Sequence, residues 1–315
     1  MTRERWLLGG AALALAIGFL QPELPWRRPL FEHVVVLDIT QSMNVTDMQF
    51  DGRAVSRLAF AKQALRRSLL ALPCGSKVGW AVFTEYRSFL LVAPVEVCAN
   101  LDELRSTLDS IDGRMAWVGG SEIAKGLHSA WGIAKALPGK PSLVFVTDGH
   151  EAPPLNPNFR PSFDDKPGEV AGIVVGVGAV TPSPIPKTDA AGRPLGVWGA
   201  DEVQQRDLRS GTRDVGVTAP LPVLGATPGS EHLSSLHEAY LRLLAGELGL
   251  VFHRLDSAEA LAAALTAAPL ARTVAVRADA RPALAGLALL LLLARHARWP
   301  RLNNRNTGAP ATKRI

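Results

Sequence analysis

The positions of apolar residues along the chain predict two kinds of secondary structure. Unbroken apolar runs, bounded by turn-forming residues, are typical of buried strands. The predicted strands are 33–37, 77–84, 88–93, 143–146, 171–177 and 250–254. Apolar residues that recur every three or four positions predict amphipathic helices. The predicted helices are 56–72, 101–110, 121–136, 233–248 and 257–266.

Strands and helices alternate, except that strands 77–84 and 88–93 follow each other across a turn near Glu85. This order predicts an α/β fold: a Rossmann-like, doubly wound, mostly parallel sheet with one antiparallel hairpin strand and helices on both faces. Two loop-like stretches, 151–168 and 179–230, follow strand ends, where open α/β sheets place their binding loops. Within the second stretch, a small hairpin is expected around 194–210.

Both ends of the chain contain an apolar run of another kind. Trp6–Leu20 is uncharged and follows a basic start, and Ala283–Leu293 is almost entirely Ala and Leu before a basic flank. We interpret these runs as membrane segments, although each is shorter than the ~20 residues that span a bilayer. A cleaved signal peptide and a buried C-terminal helix are the alternatives. The predicted organisation is a signal anchor over 1–26, a globular domain over 27–272, a transmembrane segment over 273–300 and a disordered basic tail over 301–315.

Charge is distributed unevenly between the ends and the middle of the chain. The net charge is +5, but residues 295–315 alone carry six Arg or Lys and no acid. The domain therefore has no excess of basic residues, which argues against a nucleic-acid-binding face. Basic flanks of membrane segments remain in the cytoplasm. Since both flanks lie outside the pair of segments, we expect the domain on the periplasmic side of a bacterial inner membrane.

Cys74 and Cys98 are the two cysteines of the chain. The strands 77–84 and 88–93 lie between them, and a hairpin there would return the chain to within disulfide distance. An oxidising periplasm would permit the bond. Two unrelated buried thiols are the alternative, and the sequence leaves both interpretations open.

Oxygen-bearing side chains cluster where the predicted strands end and a helix begins. The five residues are Asp38, Thr40, Ser42, Ser121 and Asp148. They can face one point, because the carboxyl ends of parallel strands meet at one edge of a sheet. Two carboxylates and three hydroxyls form a hard oxygen site, which suits Mg²⁺ first and Mn²⁺ or Ca²⁺ next, rather than Zn²⁺. Each residue taken singly could instead cap a strand or a helix.

This set resembles the metal-ion-dependent adhesion site of the von Willebrand factor A (vWA) family, whose motif is Asp-x-Ser-x-Ser followed by a distant Thr and a distant Asp. The resemblance covers about residues 31–270 and implies the vWA fold. Thr40 stands where the family usually has Ser, and Ser121 where it usually has Thr; both exchanges keep the hydroxyl. The resemblance also implies that an acidic residue of a client protein completes the metal site.

Several segments are similar to narrower groups within that family. Segments 147–154, 184–189 and 196–198 look like the vWA proteins encoded with bacterial methanol dehydrogenase, the MxaL/MxaC type. This implies a chaperone-like role in maturation, including metal insertion, of a periplasmic PQQ-dependent methanol or alcohol dehydrogenase, through that quinoprotein or its assembly factors. Segment 42–47 together with 56–58 is similar to the membrane-anchored Bat-type group, which implies another client and a MoxR-type AAA ATPase.

His150, Glu151 and Asp47 are candidates for contact with a partner, because they lie just after the two aspartate motifs. Solvated loop residues are the alternative. A metal-dependent hydrolase is a third functional hypothesis, for which His150 or Glu151 would have to be the general base. The chain contains neither a Gly-x-Ser-x-Gly elbow nor a Gly-x-x-x-x-Gly-Lys loop. We therefore expect a binding protein rather than an enzyme.

Overall fold

The computed structural model describes residues 3–21, 23–116, 119–154, 163, 165–203 and 231–296. They belong to two compact units. One unit combines the two ends of the chain, up to Arg28 and from Val274 onward, and the other is the domain from Pro29 to Thr273. The predicted tail 301–315 lies outside the described residues.

The helices and strands are numbered in chain order. The helices are α1 (Arg3–Phe19), α2 (Arg57–Ser68), α3 (Leu101–Ser110), α4 (Ile123–Ala136), α5 (Glu238–Leu248), α6 (Ala258–Leu265) and α7 (Arg281–His296). The strands are β1 (Glu23–Leu30), β2 (Glu32–Asp38), β3 (Met48–Phe50), β4 (Arg53–Val55), β5 (Lys77–Thr84), β6 (Arg87–Glu96), β7 (Ser142–Thr147), β8 (Gly172–Gly176), β9 (Ser183–Pro184), β10 (Pro186–Thr188), β11 (Pro194–Val197), β12 (Leu233–Ser234), β13 (Val251–Arg254) and β14 (Arg272–Asp279).

A six-stranded sheet forms the centre of the domain, in the order β13-β8-β7-β2-β5-β6. All neighbouring strands are parallel except β5 and β6, which form an antiparallel hairpin. The predicted doubly wound, mostly parallel sheet with one antiparallel strand is confirmed. Since β5 lies on one side of β2 and β7 on the other, the winding reverses between β2 and β7. Open α/β sheets bind their ligands at such a switch point.

Different helices bury the two faces of the sheet. In β2, Val35 and Leu37 pack into one core with residues of α2, α3 and α6, whereas Val34 and Val36 pack into a second core with α4 and α5. Side chains of a strand alternate between the two faces, so a strand covered on both sides is apolar throughout. Each such side chain contributes roughly 1.5–3 kcal/mol on burial. The two cores therefore hold the carboxyl end of β2 in place.

Two predicted elements differ from the structure. Residues 233–237, predicted as the start of a helix, are not helical, because β12 pairs with β9 and the His237 N–H donates to the Asp148 carbonyl. The hairpin predicted around 194–210 lies partly outside the described residues; within them, β11 pairs with β10, which precedes the predicted range. The β3–β4 and β1–β14 pairs were not predicted. Hydrogen bonds between distant segments decide these regions, and local periodicity does not report them.

A disulfide joins Cys74 to Cys98, whose Cα atoms lie 5.3 Å apart. The two cysteines are 24 residues apart in the sequence, and the β5–β6 hairpin between them brings them together. The Glu96 carboxylate accepts hydrogen bonds from the Gly75 N–H and the Ala99 N–H, at 2.6 and 2.5 Å. The turns on either side of the disulfide are therefore fixed to each other by hydrogen bonds as well.

In the unit formed by the chain ends, α1 and α7 pack through small residues. Ala11, Ala14 and Ala288 are buried between the helices. Larger apolar side chains point outward, and Leu13 and Leu290 are 62% and 64% exposed. Among the described residues, no helix combines the length and the apolar character needed to cross a membrane, in contrast to the segments predicted within 1–26 and 273–300.

Candidate metal centre

Asp38 and Asp148 lie next to each other at the switch point of the sheet. Asp38 is the last residue of β2, and Asp148 directly follows β7, which pairs with β2 in parallel register. Both side chains are completely buried. The sheet thus places two carboxylates together at its carboxyl edge, away from bulk water.

Hydroxyl and amide donors surround Asp38. Its Oδ1 accepts hydrogen bonds from the Thr40 N–H at 2.9 Å and the Thr40 hydroxyl at 2.7 Å, and its Oδ2 accepts from the Thr147 hydroxyl at 2.6 Å. Burial, followed by repulsion from Asp148, raises the pKa of Asp38 to about 7. No Lys, Arg or His among the described residues forms an ion pair with Asp38. A bound metal ion would supply the missing positive charge.

The hydroxyls of Thr40 and Ser42 are oriented by these carboxylates. Their oxygens lie 3.3 Å apart, and the Ser42 hydroxyl is hydrogen-bonded to Asp148. A hydroxyl has one proton and two lone pairs, so one that donates to a carboxylate presents its lone pairs elsewhere. The short 3-10 turn Gln41–Asn44 curls the chain immediately after Thr40. Thr40 and Ser42 are therefore suited to coordinate a cation while the acids hold them.

Ser121 reaches the same site from the loop before α4. Its N–H donates to the Ala152 carbonyl at 2.6 Å, and the Ala152 N–H donates back at 2.8 Å. The Ser121 side chain is buried, and its Oγ has no hydrogen-bond partner among the described residues. A buried hydroxyl without a hydrogen bond carries a desolvation penalty that a ligand can relieve. This oxygen, with the two carboxylates and two further hydroxyls, fits a hard divalent cation.

Arg57, which belongs to none of the sequence motifs, is completely buried and contacts Asp148. Its Nη1 donates to Asp148 Oδ2 and to Ser234 Oγ, each at 2.6 Å, and its Nη2 donates to Asp47 Oδ2 at 2.6 Å. Burial is the largest influence on the pKa of Asp148 and by itself would raise it. The charge of Arg57, followed by His150 and the Ser42 hydroxyl, together outweigh burial and lower the pKa below its ordinary value. Asp148 is thus ionised and already paired with a cation.

Glycine at position 178 allows the segment after β8 to approach this ion pair. Gly178 has a φ of +129°, and a Cβ there would lie 2.7 Å from Arg57 Nε. The next N–H, of Ala179, donates to Asp47 Oδ2 at 3.0 Å. The Arg57 guanidinium is therefore enclosed by backbone as well as by carboxylates.

The three candidate partner-contact residues lie largely in the interior. Asp47 is paired with Arg57, and His150 and Glu151 are 3% and 1% exposed. Glu151 Oε1 accepts hydrogen bonds from the Tyr240 hydroxyl at 2.5 Å and the Ala124 N–H at 3.1 Å. Burial raises the pKa of Glu151 to about 7. Glu151 is consequently a buried, hydrogen-bonded residue and not a solvated loop residue.

A cavity of about 320 Å³ opens onto the candidate metal site. Its polar lining includes the three hydroxyl residues of the site together with His150 and Glu151. Other parts of the wall come from the segment after β8, through Ile185, Trp198 and Glu202. Trp198 is hydrogen-bonded to the segment 38–42, because its Nε1 donates to Gln41 Oε1 at 2.5 Å. The site is therefore the floor of a pocket.

Comparisons with known proteins complete this description. No family model matches the chain, and no curated protein matches it. Similar solved structures include an aerotolerance-related membrane protein from Bacteroides fragilis, with 18% identity and a TM-score of 0.46 over 75% of this chain and 96% of that one. A von Willebrand factor type A protein from Catenulispora acidiphila has 13% identity and a TM-score of 0.39 over 82% and 43% of the two chains. The manganese-loaded TRAP protein of Plasmodium vivax has 10% identity and a TM-score of 0.38 over 82% of each.

Proposed function

We propose that this chain is a vWA-type domain that binds one divalent cation and uses it to hold an acidic group of a protein partner. Two observations at the switch point carry the proposal. Among the described residues, the buried Asp38 has no cation as a partner, and the buried Ser121 Oγ has no hydrogen-bond partner. Mg²⁺ is the first candidate for a site built from oxygens, with Mn²⁺ or Ca²⁺ as alternatives. The domain acts by binding and not as an enzyme.

Different residues of the chain have different roles at this site. Thr40, Ser42 and Ser121 present hydroxyl oxygens toward the cavity that opens onto them. Asp38 orients the Thr40 hydroxyl and Asp148 the Ser42 hydroxyl, and both acids supply negative charge. When bound, the cation provides a positive point that attracts a carboxylate. The buried Arg57 holds Asp148 in place from the side.

Within this class, we propose a role in the maturation of a periplasmic PQQ-dependent methanol or alcohol dehydrogenase. The three segments that resemble the methanol dehydrogenase group meet at one cavity, which supports this choice. Pro153 and Pro154 come from segment 147–154, Ile185 from 184–189, and Trp198 from 196–198. Segments distant in sequence would not have to converge on the metal site if they only connected helices and strands.

An exported, membrane-attached location is part of the same proposal. The disulfide between Cys74 and Cys98 favours an oxidising compartment such as the periplasm. Exposed leucines on α1 and α7 form an apolar surface of the kind that binds membranes or proteins. Fractionation of cells expressing the full chain tests this point: the protein should sediment with inner membranes and resist carbonate extraction. Recovery in the soluble cytoplasmic fraction would contradict it.

Two alternatives remain as competing functions. A Bat-type role with a MoxR-type AAA ATPase and another client would use the same metal site. A metal-dependent hydrolase would use His150 or Glu151, both of which line the cavity. Hydrolysis that is lost in His150→Ala or Glu151→Gln, while metal binding is kept, would favour the enzyme.

Affinity purification of the full chain from its own cells tests the proposed function. It is performed with Mg²⁺ or with chelator, for the wild type and for Asp38→Asn, and partners are identified by mass spectrometry. We expect a quinoprotein dehydrogenase or its assembly factors only with Mg²⁺ and an intact Asp38. The same partners with chelator and with Asp38→Asn would show that the metal does not hold the client.

A further inference from the structure

One carboxylate oxygen in the cavity is not accounted for by the metal site. Glu151 Oε1 accepts two hydrogen bonds, but Glu151 Oε2 is buried and has no partner among the residues that the structure describes. Glu151 also lines the cavity that contains Thr40, Ser42 and Ser121. When Glu151 is ionised, its buried Oε2 requires a hydrogen-bond donor, and the cavity is where one can enter.

The rest of the cavity wall indicates what kind of molecule would bring that donor. Besides Glu151, the wall contains Glu202, which is ion-paired with Lys187, and Glu231. Apolar side chains, including Pro153, Ile185 and Trp198, complete the wall. At about 320 Å³ the cavity lies at the lower end of the size range of small-ligand pockets. It accommodates a small group or a single side chain with its backbone.

We propose that this cavity binds a carboxylate that carries an N–H or O–H donor beside it, with the carboxylate at the metal and the donor on Glu151 Oε2. The proposal rests on the metal-binding function above and adds the chemistry of the ligand. Two sources share this chemistry. One is a small α-hydroxy acid, and the other is an aspartate of an extended client segment, which has its own backbone N–H.

The Glu151→Gln variant distinguishes recognition of a ligand donor by Glu151 Oε2 from a purely structural role of Glu151. The Gln carbonyl oxygen can still accept from the Tyr240 hydroxyl and the Ala124 N–H, while an NH₂ donor replaces Oε2. The variant therefore keeps the internal hydrogen bonds and repels a ligand donor. Tyr240→Phe is the matched control, because it removes one internal hydrogen bond and leaves Glu151 Oε2 unchanged. Asp38→Asn reports on the metal site alone.

The experiment measures the dissociation constants of Mg²⁺ and of four probes by calorimetry, with the full chain and with each variant. Glycolate and acetate form the small-molecule pair, and acetyl-aspartyl dimethylamide and its Nα-methyl derivative form the peptide pair. One member of each pair has the donor and the other lacks it. We expect about tenfold tighter binding of the donor-bearing member of at least one pair, in wild type and in Tyr240→Phe. The pair that shows the larger preference identifies the source.

In Glu151→Gln this preference should disappear while Mg²⁺ affinity is unchanged. Equal binding of both members of each pair by wild type, no binding of any probe, or a preference that persists in Glu151→Gln would overturn the proposal. Failure of the metal-binding function gives a different result: Mg²⁺ would not bind wild type, or would bind Asp38→Asn equally well.

Discussion

Asp38 and Asp148 occupy equivalent places at the ends of adjacent strands, but their surroundings are opposite. Three hydroxyl and amide hydrogen bonds reach Asp38, and no cation among the described residues does. Asp148 is bonded directly to the Arg57 guanidinium. The pKa of Asp38 is accordingly raised to about 7, whereas that of Asp148 is lowered. Two equally buried carboxyl groups therefore have pKa values that are shifted in opposite directions.

The difference in partners between the two acids leaves Asp38, rather than Asp148, as the carboxylate without a compensating positive charge among the described residues. Arg57 offsets one of the negative charges of Asp38, Asp47 and Asp148, so the ionised cluster carries a net charge of −2. A divalent cation would bring that charge to zero. Because Arg57 and Ser234 already occupy Asp148 Oδ2, the need for a cation is concentrated at Asp38. Arg57 compensates the charge of Asp148, and under the proposed function a metal ion would compensate that of Asp38.

The largest expected effect comes from removing Arg57. Arg57→Met leaves Asp47 and Asp148 without their cation, and losing one partner of a buried ion pair costs about 3–5 kcal/mol. Urea unfolding in the presence of EDTA measures this loss. Arg66→Met is the control, because Arg66 and Asp109 form an exposed pair worth at most about 1 kcal/mol. Equal losses in the two variants would show that Arg57 does not stabilise Asp148.

The pH dependence of stability gives the next largest effect. In metal-free protein, Asp38 is protonated when folded and ionised when unfolded between pH 4 and 7, so the unfolded state binds fewer protons. The free energy of unfolding should therefore fall as the pH rises through this window, by at most about 4 kcal/mol. Asp38→Asn should lose the part of this fall that Asp38 contributes, while Glu151, whose pKa is also raised to about 7, should contribute equally in both proteins. The same pH dependence in metal-free wild type and in Asp38→Asn would contradict a raised pKa for Asp38.

The asymmetry itself could not be predicted from the sequence, although the two acids could. Asp38 and Asp148 end buried strands, and parallel strands bring such ends together. Arg57 lies 91 residues before Asp148, and no local pattern links them. One signal was available: Arg57 precedes the buried Ala61 and Ala64 by four and seven residues, so the helical period places it on the buried face. The extended start at 233–237, which contributes Ser234, depends on pairing with distant segments and had no such signal.

Substituting each acid by its amide gives a smaller effect with opposite signs. In EDTA at pH 8, Asp148→Asn should lower the free energy of unfolding by about 2–3 kcal/mol, because it weakens a charged hydrogen bond of Arg57. Asp38→Asn should raise it by on the order of 1 kcal/mol, because it removes a buried charge without a cation. Thermal and urea unfolding of the two variants measure the signs. Losses of the same size in both would mean that the two acids are equivalent.

The smallest effect on stability is expected at Ser121. Ser121→Ala removes a buried hydroxyl that has no partner among the described residues, so metal-free stability should change by less than about 1 kcal/mol. Mg²⁺ affinity should fall by about tenfold, because one oxygen ligand is lost. Ser129→Ala is the control, because Ser129 lies on α4, the helix that follows Ser121, and does not line the cavity. A Ser121→Ala variant with wild-type Mg²⁺ affinity would remove Ser121 from the metal site.

Calorimetric titration of the EDTA-treated full chain with Mg²⁺, beside Asp38→Asn, tests the central claim most directly. Wild type should bind one Mg²⁺ per chain, and its unfolding temperature should rise as Mg²⁺ is added. Asp38→Asn should bind no Mg²⁺ at the same concentrations while remaining folded. Absence of binding in wild type, or equal binding by the two proteins, would contradict a metal site built around Asp38.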